Sequence, residues 1–218
     1  MKPEDTTCIV VLGMHGGGTS LVAYILHTLG VNMHPNPKAH VNDYLNYEDS
    51  AFVRMNARIL HKAGGNFRNP PSPERIISVQ SEVESDIISL VTQRADSSTW
   101  GWKDPRTAIT IPLYHPHLPN PYYIFVTRNP KHVARSMMSR AGKRAAWGKP
   151  PGFWNALAQE YYRRVGAFLL EVNPPNIVVD YGDLVGRRKD QIVAGIAYFV
   201  GADPRLVPSA IQCVRPKR

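Results

Sequence analysis

The 218-residue chain has only two cysteines, Cys8 in an apolar run and Cys213 near the C-terminus. Neither has a partner at metal-ligand spacing, so both are read as reduced thiols of a cytoplasmic protein. No stretch approaches the roughly 20 consecutive apolar residues of a membrane span. Met1-Lys2-Pro3-Glu4-Asp5 leads straight into the first apolar run with no signal-peptide core before it. The expectation is a soluble, unprocessed chain with no membrane partner. Acidic residues are scarce: 17 Asp and Glu face 26 Lys and Arg, a formal net charge of +9. That balance suits an anionic ligand or an acidic partner. The basic residues are nonetheless scattered, apart from Arg187-Arg188-Lys189 and Arg215-Pro216-Lys217-Arg218, and fit a solvated surface as well as a polyanion-binding face. Zinc-finger spacings and RNA-binding signatures are missing, and nucleic acid is not an expected partner. There is no internal repeat and no low-complexity tract.

What is present is an alternation. Four short apolar runs, Thr7–Leu12, Thr99–Trp102, Tyr122–Thr127 and Asn176–Asp180, carry turn residues at their ends, as strands buried on both faces of a parallel sheet do. Helical stretches fall between and after them: Ser20–Leu29, Ser50–Lys62, Pro73–Arg94, Pro130–Ala141, Phe153–Val172 and Lys189–Val200. The pattern predicts one three-layer α/β/α domain over residues 1–218, with a central parallel sheet of the P-loop NTPase-like kind. Asn129-Pro130 opens a helix with proline in the first turn, and Gly30 and Gly201 read as helix stops. The polar stretches His34–Asn46, Asn66–Ser72 and Lys143–Gly152 read as loops, of a kind that either covers a site or lies on the surface.

Residues 13–20, Gly-Met-His-Gly-Gly-Gly-Thr-Ser, lie between the first strand and the first helix. Three consecutive glycines let the backbone approach a ligand closely, Thr19 and Ser20 add hydroxyls, and the helix start favours negative charge. Strand, glycine loop and helix together predict a phosphate cradle. The spacing follows a P-loop, except that Thr19 stands where a Walker lysine would be. Two further groups accompany it. Arg128 leaves the C-terminal end of a strand, where open α/β sheets bind ligands, and Ser136 lies about two turns into the next helix. An arginine and a hydroxyl converging on one phosphate form a sound chemical pair. Trp102-Lys103-Asp104-Pro105-Arg106 places a charge cluster at another strand end. Lys103 either supplies the positive charge that the glycine loop lacks or forms a structural ion pair with Asp104 or Glu48.

Together these segments resemble the sulfotransferase family. Gly-Met-His-x-x-Gly-Thr-Ser resembles its 5′-phosphosulfate loop, and Arg128-Asn-Pro…Ser136 its 3′-phosphate signature. Trp102-Lys-Asp-Pro-Arg106 is similar to a Lys-Asp-Pro-Arg segment of bacterial members. Asn46-Tyr-Glu48…Phe52…Asn56…Ile59-Leu60 resembles the segment that carries a catalytic glutamate, and Val178-Val-Asp-Tyr181-Gly-Asp-Leu184 the turn beside the nucleotide.

The resemblance implies transfer of a sulfuryl group from 3′-phosphoadenosine 5′-phosphosulfate to a hydroxyl or amine of a small-molecule or carbohydrate acceptor. The transfer would be an in-line displacement, with adenosine 3′,5′-bisphosphate as product and no metal. It implies Gly16, Gly17, Gly18, Thr19, Ser20, Arg128, Ser136 and Tyr181 as nucleotide contacts. Glu48 is then the base, Lys103 the electrostatic group, and His15 a second base or donor. Gly16 stands where the family carries Arg or Lys, and Gly17 where it carries Ser, which leaves catalytic competence open. Two alternatives stand beside this reading: a P-loop small-molecule kinase with Ile177–Asp180 as its Walker B strand, and a non-catalytic homologue that binds nucleotide or polyanion.

Overall fold

Alternate side chains of β1 (Thr7–Leu12) enter two different cores in the computed structural model, which describes residue 2 and residues 5–34, 47–141 and 148–214. Cys8, Val10 and Leu12 belong to one buried cluster, Ile9 and Val11 to the other. β3 (Pro121–Thr127) divides the same way, with Tyr123 and Phe125 on the first face and Ile124 and Val126 on the second. Apolar side chains on both faces are why these strands read as continuous apolar runs. With β2 (Thr99–Lys103) and β4 (Asn176–Asp180) they form a four-stranded sheet, ordered β2-β1-β3-β4 and parallel throughout.

Helices cover both faces. The first core receives side chains from α2 (Ser50–Lys62), α3 (Pro73–Ser78), α4 (Gln80–Arg94), α5 (Thr107–Tyr114), α6 (Pro130–Ala141) and α7 (Pro151–Val172). The second receives α1 (Thr19–Thr28), α8 (Tyr181–Leu184), α9 (Lys189–Phe199) and α10 (Val207–Gln212). The three-layer α/β fold is therefore as expected. Among the described residues, no helix is long and apolar enough to cross a membrane. Cys8 and Cys213 are both buried thiols.

Three details differ from the sequence reading. β4 is not buried on both faces: Val179 packs into the second core, but Val178 is 59% exposed. An edge strand has one neighbour, and here only one of its faces is covered. The helix expected over Pro73–Arg94 is two helices, because the backbone leaves helical values at Val79 (φ −95°, ψ 5°). The bend lets α3 pack on α5 while α4 packs on α2 and α5. Finally, α5 gave no sequence signal. Every residue of it except Pro112 is buried, so it has no polar face to create a 3.6-residue period, and Pro112 reads as a breaker.

A buried polar network holds α2 and α5 to the end of β2. The Asn56 amide donates to Asp104 Oδ2 (2.8 Å) and Thr107 Oγ1 (3.0 Å). Its carbonyl oxygen accepts from Thr110 Oγ1 (2.6 Å) and Tyr114 OH (2.9 Å). Every hydrogen-bonding position of this side chain is used. Asp104 also takes the Arg106 guanidinium at 2.8 Å, and Trp102 Nε1 donates to Thr107 Oγ1. Burial raises the Asp104 carboxyl above its ordinary value, against the opposing Arg106 charge and Asn56 hydrogen bond. Asn56→Ala takes one buried partner from each of Asp104, Thr107, Thr110 and Tyr114 and is expected to lower the unfolding free energy by about 3 kcal/mol in urea denaturation. A loss below about 1 kcal/mol would show that the network is dispensable.

Candidate functional site

In the order β2-β1-β3-β4 the chain crosses one way from β1 to β2 and the other way from β2 to β3. The reversal opens a crevice at the C-terminal ends of β1 and β3, where ligands of parallel sheets bind. Leu12 lies opposite Phe125 in the register, so the two strands end side by side. Each strand end delivers one sequence candidate: β1 the loop of residues 13–20, β2 Lys103, β3 Arg128 and β4 Tyr181.

The loop is shaped by what its glycines lack. Gly17 N–H donates to Met14 C=O at 2.9 Å and closes a turn. Gly16 (φ +77°) and Gly18 (φ +104°) occupy the left-handed region. A Cβ on Gly18 would lie 2.0 Å from Cδ2 of Tyr181, so that ring rests directly on the loop backbone. A Cβ on Gly16 would meet Ser136 Cβ and Oγ at 3.3 Å. Thr19, buried, and Ser20, partly exposed, then start α1, whose first turn contains no acidic residue and no side-chain cap.

Arg128 reaches the same place from β3. Its Nη1 donates to Gly16 C=O at 2.9 Å, and its guanidinium lies 4.6 Å over the Tyr181 ring. The buried Nε of Arg128 has no hydrogen-bond partner among the described residues. Gly16, Gly18, Arg128, Ser136 and Tyr181 thus meet at one corner of the crevice. Gly17 approaches the Tyr162 hydroxyl, which is 3.5 Å from the position its Cβ would take.

A second group gathers at the end of β2. Lys103 is fully buried and its Nζ donates to Glu48 Oε1 at 2.5 Å, the ion pair that was one of its two readings. Glu48 keeps 30% of its side chain exposed. The cap of α2 is Asp49, which accepts from Ala51 N–H at 2.8 Å, so Glu48 is released from that task. His15 is buried to 8% exposure, with its ring 4.8 Å from that of Phe67.

A family model described as the sulfotransferase family matches residues 8–203. The chain belongs to the sulfotransferase family. Two solved structures resemble it in fold. The sulfotransferase domain from the curacin biosynthetic pathway aligns with a TM-score of 0.57 at 15% identity, over 97% of this chain and 79% of that one. The sulfotransferase domain from the Synechococcus PCC 7002 olefin synthase aligns at 0.52 and 17% identity, over 94% and 77%. No curated protein matches the chain by sequence.

Other residues of the sulfotransferase fold take structural places. Asp180 Oδ1 caps α8, accepting from Gly182 N–H (2.7 Å) and Asp183 N–H (3.1 Å). The cap uses one oxygen of the carboxylate that a Walker B reading needs. Trp154 is buried in the first core, and Trp147 lies outside the described residues. Burial lowers the His115 pKa, and His115 Nδ1 lies 2.7 Å from Tyr123 OH. His117 faces Glu84 at 3.3 Å. Among the described residues, no group of three His, Cys, Asp or Glu side chains could hold a metal. Two contributors escaped the sequence reading. Asn56 was part of a motif without a stated task, and Tyr162 fell within the helical stretch Phe153–Val172 with no site role read for it. No local signal marked it: Tyr161 points into the core while the adjacent Tyr162 OH bonds Arg128.

Gly18→Ala combines a disfavoured φ with the Tyr181 clash and is expected to cost about 2–3 kcal/mol of stability. Removing the ring by Tyr181→Ala should recover part of that loss, and equal costs in both backgrounds would show that the ring contact is not what excludes a side chain.

Proposed function

We propose that this chain transfers a sulfuryl group from 3′-phosphoadenosine 5′-phosphosulfate to a hydroxyl or amine of a small-molecule or carbohydrate acceptor, without a metal. The observation that carries the reading is Arg128 at the glycine loop, with a buried Nε–H lacking a partner among the described residues. A buried donor is normally bonded, and an anion beside Ser136 and Gly16 would complete it. The residues present fit the nucleotide. The backbone of Gly16, Gly17 and Gly18, with the Thr19 and Ser20 hydroxyls, would hold the 5′-phosphosulfate. Arg128 and Ser136 would hold the 3′-phosphate, with the Arg128 guanidinium carried over the Tyr181 ring.

The donor supplies a sulfuryl group already activated on a phosphate, so the protein's work is positioning and electrostatics. Glu48 takes the acceptor's proton. Lys103 pairs with Glu48 and brings positive charge to the strand ends, where Gly16 brings none. His15 is the second proton acceptor or donor at the loop. A second reading draws on the same pair: Glu48 and Lys103 satisfy each other, and a chain with no cation at position 16 could bind the nucleotide without transferring. Labelled donor offered to a panel of alcohols, phenols and sugars separates the two. Binding without transfer or donor hydrolysis favours the binder.

Arg128→Ala is expected to weaken adenosine 3′,5′-bisphosphate binding about 100-fold, as loss of charged hydrogen bonds does, while AMP binding changes little. Equal losses in calorimetry would remove the 3′-phosphate assignment. Glu48→Gln is expected to lower turnover about 10²- to 10⁴-fold with nucleotide affinity nearly unchanged. Unaltered turnover would eliminate Glu48 as the base.

A further inference from the structure

The ladder of β3 ends at Thr127, and the backbone bonds of α6 begin at Asn129 C=O. Arg128 therefore falls between two elements, and neither serves its own N–H and C=O. Tyr162, midway along α7, serves both. Its hydroxyl accepts from Arg128 N–H at 3.1 Å and donates to Arg128 C=O at 3.2 Å. The same hydroxyl closes against the loop at Gly17. Phe125 holds the ring edge-on, at 5.7 Å and 68°. Burial pushes the phenol up to about 12, so at neutral pH the hydroxyl keeps the proton it donates. Tyr161, one residue earlier, differs: its hydroxyl donates to Phe67 C=O at 2.8 Å and its ring fills the first core.

We infer that Tyr162 is the positioning residue for Arg128: its hydroxyl fixes the peptide at 128, and through it the line along which the guanidinium crosses Gly16 and Tyr181. A guanidinium on a long, rotatable stem distinguishes a second phosphate only if its root is fixed. Tyr162 acts on the nucleotide solely through this arginine. The inference rests on the nucleotide reading above.

The test titrates the protein with adenosine 3′,5′-bisphosphate and with AMP by calorimetry, alongside thermal denaturation. In Tyr162→Phe the preference for the bisphosphate over AMP is expected to fall about tenfold, while AMP affinity stays within about twofold of the parent. In an Arg128→Ala background the same substitution should leave that preference unchanged, since the two residues act as one unit. Equal weakening of both nucleotides, or an undiminished effect without Arg128, would each overturn the positioning role. A parent protein with no preference for the bisphosphate would overturn the nucleotide reading itself, and this inference with it.

Discussion

The approach of the β1–α1 backbone to Tyr181 and Ser136 leaves no room for side chains at the centre of the crevice. At Gly18 even a methyl group would enter the tyrosine ring, and at Gly16 the Ser136 side chain stands at contact distance. The backbone between β1 and α1 is therefore itself the wall of the crevice. Arg128 depends on that wall: its guanidinium stacks on Tyr181 and bonds Gly16 C=O, two contacts that exist only because the loop is bare. The same constraint bears on charge. A basic residue at position 16 would need the left-handed backbone and the space that Ser136 now fills. Positive charge at the loop comes instead from neighbouring strands.

The neighbouring strands are held with comparable care. Lys103 is fully buried, and a buried ammonium is costly unless it is paired. Glu48 supplies that pairing, and its own position follows from Asp49 capping α2 and from Asn56 tying α2 to Asp104, Thr107, Thr110 and Tyr114. Phe52 stacks on Trp102 at 4.1 Å between these anchors, so apolar packing and the polar network bind the same two elements. The glycine loop and the Glu48–Lys103 pair are thus fixed by independent means at adjacent strand ends.

Much of the fold could be read directly. β1, β2, β3 and β4 were legible as apolar runs, and the amphipathic helices α2 and α6 as periodic ones. α5 was not, because burial on all sides removes periodicity and Pro112 imitates a stop. The exposed face of β4 was not legible either, since Ile177-Val178-Val179 looks alike whether its cover is on one face or two. Of the residues that meet at this corner of the crevice, Gly16, Gly18, Arg128 and Ser136 stood out by type and spacing, and Tyr181 through the family resemblance. Tyr162 was not: its part lies in a contact with Arg128 across 34 residues of chain, and no local pattern encodes it.

By itself the sequence determined the order of the strands and of the periodic helices, the glycine loop after the first strand and the set of charged groups at strand ends. These are local properties: side-chain period, turn chemistry and residue type act over a few neighbours. Only the tertiary structure decided which candidates meet. It put Arg128 over Tyr181, turned Lys103 toward Glu48 rather than Asp104, and gave the Arg128 peptide to Tyr162. The physical reason is that a buried polar group must find its partner wherever the packed chain brings one, and strand order, not sequence distance, sets what is near.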